Sequence, residues 1–196
     1  MMPKFRRDIT DDGLMRLDDE TLQWAAELSD EQRAAVVRWQ GADRFYEKIN
    51  AALRGETDDP EPVDTADTLL GVVTHPLAGE YIVWRGARSV EAAFDVSADR
   101  LEELIGLREP LVRFTSTSLD ENVAINEFTK PQLKGGAVLM ELALAPGVRA
   151  AWIPPIGDQE MAYQQELLVR PGMMQRIVDV VRADFIPIVR MEVTPK

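Results

Sequence analysis

Tyr81-Ile82-Val83-Trp84-Arg85-Gly86 is a short run of aromatic and β-branched residues closed by an arginine and a glycine, and from it onward the chain reads with a period of two. Comparable runs follow at 111–117, 136–145, 148–153, 164–169, 174–182 and 186–193, so the back half is a strand-rich unit. Between the first two runs, Ala93 to Gly106 carries leucines and acids at helical spacing, which predicts a helix lying over the sheet. Upstream the period is helical. Ser29 with Gln32 three residues on is a capping-box spacing and starts a helix from Asp30 to about Gln40. Phe45, Ile49, Ala52 and Leu53 place one apolar stripe on a helix ending near Arg54-Gly55, with Asn50 and Arg54 together on a neighbouring face. Glu56 to Asp67, acidic and interrupted by Pro60 and Pro62, reads as a solvated connection before a helix over 68–74. Residues 1 to about 20 show little periodicity, so 1–27 reads as an arm or short helix and 28–196 as the functional domain. Helices first and strands after argue an α+β fold rather than a doubly wound one.

Composition narrows the function. The 196 residues are 45% hydrophobic, enough for one core of ordinary size. Twenty-two basic residues face 34 acids, and a net charge of −12 opposes binding to a phosphate polymer, so protein is favoured over nucleic acid as a partner. No cysteine and a single histidine, His75, leave no ordinary zinc cluster, and no metal is expected. The start lacks an apolar signal core, and no stretch approaches the roughly 20 apolar residues of a membrane span. Residence in the cytosol where it is made, and no membrane partner, are expected. Nothing fits G-x-G-x-x-G between a strand and a helix, which argues against a recycled hydride carrier.

Two further stretches complete the pattern: Phe114-Thr115-Ser116-Thr117-Ser118-Leu119, and Tyr163-Gln164-Gln165-Glu166-Leu167-Leu168. One arginine, then a Ser-Thr-Ser strand, then a glutamate two residues after a polar residue: this order resembles the R-S-E class of mono-ADP-ribosyltransferases, in its bacterial and phage exoenzyme branch and its Gln-x-Glu variant. The resemblance runs from about Leu28 to the end. It includes Ile49-Asn50-Ala51-Ala52-Leu53-Arg54 on the early helix, Trp84-Arg85-Gly86, Ala124 and Phe128 after the Ser-Thr-Ser strand, and Glu166-Leu167-Leu168-Val169-Arg170-Pro171-Gly172, where Pro and Arg are exchanged relative to the family order. It implies N-terminal helices packed on a split two-sheet β-sandwich, with NAD bound as a substrate in a cleft.

The residue types suit that chemistry. Loss of nicotinamide from NAD leaves a ribosyl oxocarbenium ion, so a site needs fixed cations for the pyrophosphate and an anion near the ribose. Arg85 and Arg54 are the expected cations, with Asn50 and Gly86 beside them, and Glu166 the expected anion, holding the ribose 2′-hydroxyl. Ser116 would orient Glu166 while Thr117 and Ser118 support that edge. Phe128 offers an aromatic face to the nicotinamide, or is a core ring; Lys130 is a further cation near the phosphates, or a surface lysine. Asp43, Asp158 and Glu160 read as solvated surface rather than a glycosidase pair. The resemblance makes Gln164 a selector of the acceptor. An amide supplies no charge, which disfavours an arginine acceptor. The preceding loop, 152–163, becomes the target-recognition turn, with Trp152 and Tyr163 as aromatic contacts or core residues. The resemblance also brings delivery into a host or target cell, and an immunity or chaperone protein as a further partner. Two other readings stay open: an NAD glycohydrolase with water as acceptor, and a non-catalytic phage structural protein.

Overall fold

The computed structural model describes residues 11–183 and 185–196. Four helices come first: α1 (Asp11–Ala25), α2 (Asp30–Trp39), α3 (Phe45–Leu53) and α4 (Pro60–Val72). Then follow β1 (Tyr81–Ala87), α5 (Val90–Phe94), a 3-10 helix at Ala98–Leu104, β2 (Arg108–Pro110), β3 (Thr115–Ser118) and α6 (Glu121–Phe128). The chain ends with β4 (Val138–Leu144), β5 (Ala150–Trp152), a 3-10 helix at Gln159–Gln164, β6 (Glu166–Val169), β7 (Met174–Val181) and β8 (Ile188–Thr194). Of the expected N-terminal arm, residues 1–10 lie outside the described residues. From Asp11 the chain is helix, and Leu17 of α1 is buried in the core.

The α2 start is as the spacing predicts. The Ser29 hydroxyl accepts from the Gln32 N–H while the Gln32 side chain accepts from the Ser29 N–H. The stretch expected to be a connection behaves otherwise, because Pro60 sits in the first turn of α4, where its missing N–H has no helical partner to lose. Pro62, Ala66, Leu69 and Val72 then form its buried stripe. The helix expected over 93–106 is broken at Asp95, in the left-handed region at φ 55°, into α5 and the 3-10 segment.

The strands run β2-β7-β8-β4-β1-β3-β6-β5, antiparallel except for β4 beside β8. The expected pair of separate sheets is therefore one hydrogen-bonded series with a narrow waist. β1 shares seven register pairs with β4 but only Trp84↔Ser118 with β3. Beyond that waist, β3-β6-β5 is covered on both faces. Leu167, Val169, Ala150 and Trp152 join the cluster that also holds Tyr81, Val83, Leu142 and Leu144. Leu168, Ala151, Ile153 and Phe114 join the one built on α2, α3 and α4, with Trp39, Ile49 and Leu69. Strands buried on both faces need an apolar residue at nearly every position, which is why Leu167-Leu168-Val169 lacks alternation. Among the described residues, no helix is long and apolar enough to cross a membrane.

Candidate active site

Register decides which motif residues meet. In the β3–β6 pair, Ser118 lies opposite Glu166 and Ser116 opposite Leu168. Directly opposed residues share a face, and so do residues two apart, which puts Ser116, Ser118 and Glu166 on the face covered by α2–α4. Thr117 points the other way. Its hydroxyl is buried and donates to the Leu167 carbonyl at 2.6 Å, so it ties strands together rather than facing a ligand. Ser118 Oγ donates to the Gln164 carbonyl at 2.7 Å and accepts from the Asp120 N–H at 2.9 Å, fixing the turn before Glu166 to the start of α6.

Glu166 is only 5% exposed. Two donors from α2 and its cap meet it: the Trp39 indole N–H gives to Oε1 at 3.0 Å, and the Gln40 amide gives to Oε2 at 3.2 Å. Burial pushes the carboxyl above its ordinary range, against the hydrogen bonds of Ser116, Trp39 and Gln40 and the charge of Arg85. Trp39 is held in turn by an edge-on contact with Phe114, centroids 5.6 Å apart, and a tilted one with Tyr46 at 5.9 Å.

Arg85, near the end of β1, donates from Nη1 to the Ser116 carbonyl at 2.8 Å, across the waist of the sheet. Burial first, and the neighbouring Arg113 second, bring its pKa down to about 10, while Tyr46 and Glu166 act in the opposite direction. It remains cationic at neutral pH. The next residue must be glycine for steric reasons: a Cβ on Gly86 would lie 2.3 Å from the Ala124 carbonyl oxygen and 2.9 Å from Phe128 Cβ. Its absence lets α6 settle on β1 and leaves Phe128 beside this strand, 38% exposed and so not a core ring.

The other expected phosphate ligands are engaged elsewhere. Arg54 is paired two-pronged with Glu56, Nε to Oε1 and Nη2 to Oε2 at 2.6 Å each. Asn50 is buried, and its Oδ1 accepts from the Phe114 N–H at 3.1 Å, so α3 pins the entry to β3. Lys130 is exposed and donates to Asn126 Oδ1 at 3.0 Å. Trp152 is buried on the face opposite Glu166 and donates to Asp18 of α1 at 2.7 Å. Tyr163 is 54% exposed; its hydroxyl and the Gln164 amide both donate to Glu127 Oε2, at 3.1 and 3.3 Å. Asp43 pairs with Arg38, and Asp158 caps the 3-10 helix by accepting from the Glu160 N–H. Among the described residues no cluster of three or more His, Asp or Glu could hold a metal ion.

The structure thus brings Arg85, Ser116 and Glu166 together and adds four residues that sequence reading missed: Trp39, Gln40, Tyr46 and Arg113. Tyr46 precedes Asn50 by one helical turn, a spacing that could have marked it. Trp39 and Gln40 lie 127 and 126 residues from Glu166, and no local pattern signals them.

No family model matches the chain, and no curated protein matches it. Solved structures do. Plx2a, an ADP-ribosyltransferase toxin from Paenibacillus larvae, superposes with a TM-score of 0.74 at 19% identity, covering 98% of this chain and 99% of that one. The Vis toxin, an ADP-ribosyltransferase from Vibrio splendidus, gives 0.61 at 16%, over 97% of this chain and 88% of that one. The ADP-ribosylating toxin BECa of a C. perfringens binary enterotoxin, crystallised with NADH, gives 0.70 at 14%; this chain covers 47% of it and is itself 92% covered. The fold is that of the ADP-ribosyltransferases, α+β with helices preceding a mixed sheet.

Proposed function

We propose that this protein transfers ADP-ribose from NAD to a macromolecular acceptor, protein rather than nucleic acid, with release of nicotinamide. The observation that carries the reading is the convergence of Arg85, Ser116 and Glu166 from three strands, with the carboxylate buried and hydrogen-bonded on both oxygens. An anion so placed, beside a cationic guanidinium, suits a substrate whose reacting carbon becomes positive while its phosphates are negative. The presence of NADH in a fold neighbour supports NAD as the ligand.

In this reading the bond from ribose C1′ to the nicotinamide nitrogen breaks, its electron pair leaving with nicotinamide. Glu166 accepts a hydrogen bond from the ribose 2′-hydroxyl and favours the positive charge developing at C1′. Trp39, Gln40 and Ser116 leave acceptor capacity on the carboxylate, since each oxygen has two lone-pair directions. Arg85 faces the pyrophosphate, and Phe128, exposed beside it, faces the nicotinamide. Arg54 reaches phosphate only by exchanging its Glu56 partner. The nucleophile of the acceptor then bonds to C1′ and gives up its proton to water. Gln164 brings no charge of its own to the acceptor, which favours a neutral acceptor side chain over a guanidinium. Residues 28–196 form the catalytic unit, and action inside a recipient cell fits the toxin neighbours.

Labelled NAD incubated with a lysate should label a macromolecule, and Glu166→Ala should abolish the label. Release of nicotinamide with no labelled macromolecule would assign water as the acceptor. No turnover and no NAD binding by calorimetry would overturn the reading.

A further inference from the structure

Gln40, the C-cap of α2, is engaged on both ends of its amide. Its Nε2 donates to Glu166 Oε2 at 3.2 Å, and its Oε1 accepts from the Asp158 N–H at 2.8 Å. The orientation is forced, because the opposite one would set an amide oxygen against a carboxylate and an NH2 against an N–H. Asp158 belongs to the segment between β5 and β6, the stretch expected to contact the acceptor. That segment approaches the amide closely: a Cβ on Gly157 would lie 2.3 Å from Gln40 Oε1 and 2.7 Å from Ile153 Cγ2. The other side of Gln40 is anchored, since its backbone N–H closes α2 on the Val36 carbonyl and the preceding Trp39 is buried among Phe114 and Tyr46.

We infer that Gln40 is a positioning residue that couples the 153–164 loop to Glu166: one amide grips the loop with its oxygen and the carboxylate with its nitrogen, so a displacement of the loop is transmitted to the glutamate. A glutamine suits both tasks. A glutamate at 40 would set two carboxylates together, a methionine could neither donate nor accept, and an asparagine would fall one methylene short. Tyr163 gives the loop an exposed aromatic handle at its far end, which an acceptor can press upon. That the acceptor is what moves the loop rests on the transferase reading; the coupling itself does not.

The Trp39 indole reports on the coupling without any turnover, because it donates to the other oxygen of the same carboxylate. Its N–H resonance, one of four from the four tryptophans and identified by its loss in Trp39→Phe, should follow the ionisation of Glu166 as pH is raised. The other groups acting on that carboxylate are Arg85, which stays charged across the range, and the neutral Trp39, Gln40 and Ser116. Gln40→Met removes a donor that favours the charged form and should raise the midpoint by about half a unit to one unit. Asp158→Ala removes the carboxylate that accepts from the Glu160 N–H but keeps the loop N–H, and Asp158→Pro deletes that N–H as well, at a φ of −69° that proline accepts; relative to Asp158→Ala, Asp158→Pro should raise the midpoint in the same direction by a smaller amount. In the Gln40→Met background, Asp158→Pro should add nothing beyond Asp158→Ala. Gly157→Ala and Gln40→Ala repeat the two arms should either first choice fail to fold. A midpoint indifferent to the loop substitution, or an equal increment in both backgrounds, would overturn the coupling. Absence of NAD turnover in the unaltered protein would instead overturn the transferase reading and leave these titrations standing.

Discussion

Replacing Glu166 with glutamine separates what the carboxylate does for chemistry from what it does to the fold. The substitution keeps volume and keeps an acceptor for the Trp39 indole, but its own NH2 cannot accept from Gln40, so one buried hydrogen bond is lost, worth about 1.5 kcal/mol or somewhat more to a charged acceptor. Against this stands the removal of a buried charge. Burial outweighs the three donors and Arg85 in setting this carboxyl above its ordinary range, so the folded protein binds the proton more tightly than the unfolded chain does. The stability that group contributes is complete below its unfolded pKa, about 4.3, and is lost as pH rises through the folded value, at about 1.4 kcal/mol for each unit between the two. At pH 7.5 the two terms oppose each other. Glu166→Gln is therefore expected to melt within about 3 °C of the unaltered protein there, and to lose ground to it as pH falls toward 4. Nicotinamide release should fall by about 10²- to 10⁴-fold. Calorimetric melts from pH 4 to 8, with a fluorescent NAD turnover assay, read both. A deficit of about 3 kcal/mol that stays constant across the range would refute the claim that burial dominates, and undiminished turnover would remove Glu166 from the chemistry.

Arg85→Lys keeps a charge but cannot reproduce the planar fork that reaches the Ser116 carbonyl, so KM for NAD should rise about tenfold or more with a smaller change in kcat; an unchanged KM would free Arg85 from the phosphates. Gly86→Ala drives a Cβ into the Ala124 carbonyl and should lower stability by about 3 kcal/mol in urea titration, and a loss below about 1 kcal/mol would mean α6 is not seated as described. Gln164→Glu should increase labelling of arginine-like small acceptors such as agmatine. Unchanged products would defeat the selectivity argument.

Seven of the eight strands, the α2 cap and the convergence of the three motif residues were legible in sequence because each rests on near neighbours, whereas β2, exposed at all three positions, carries no alternation to mark it. A period of two, a capping box and a hydroxyl-bearing strand followed by a glutamate survive any packing. Thr117 was open to the same reasoning, since alternation alone puts it on the face opposite Ser116 and Ser118. The prolines of α4 misled because proline breaks a helix interior but suits its first turn, and only the stripe at 62, 66, 69 and 72 distinguishes the two. Arg54 shows a different limit. Its type and spacing fit a phosphate ligand, yet a glutamate two residues away already satisfies the guanidinium, and nothing in a spacing rule weighs a local partner against an absent ligand.

Trp39 and Gln40 were out of reach for a reason that bears on function. A strand motif places Glu166 on the face covered by α2, but at 5% exposure the carboxylate would resist ionisation unless donors met it, and both α2 donors come from the far end of the chain. Their task is to offset desolvation. They are neutral, so they favour the charged form without cancelling its charge, which in the proposed reaction leaves the carboxylate available to stabilise a cation at ribose C1′. An arginine or lysine in place of Trp39 or Gln40 would hold the carboxylate ionised more firmly and blunt that effect. In the proposed reaction the strands thus choose which residue meets the substrate, and the end of α2 sets how strongly that residue can act.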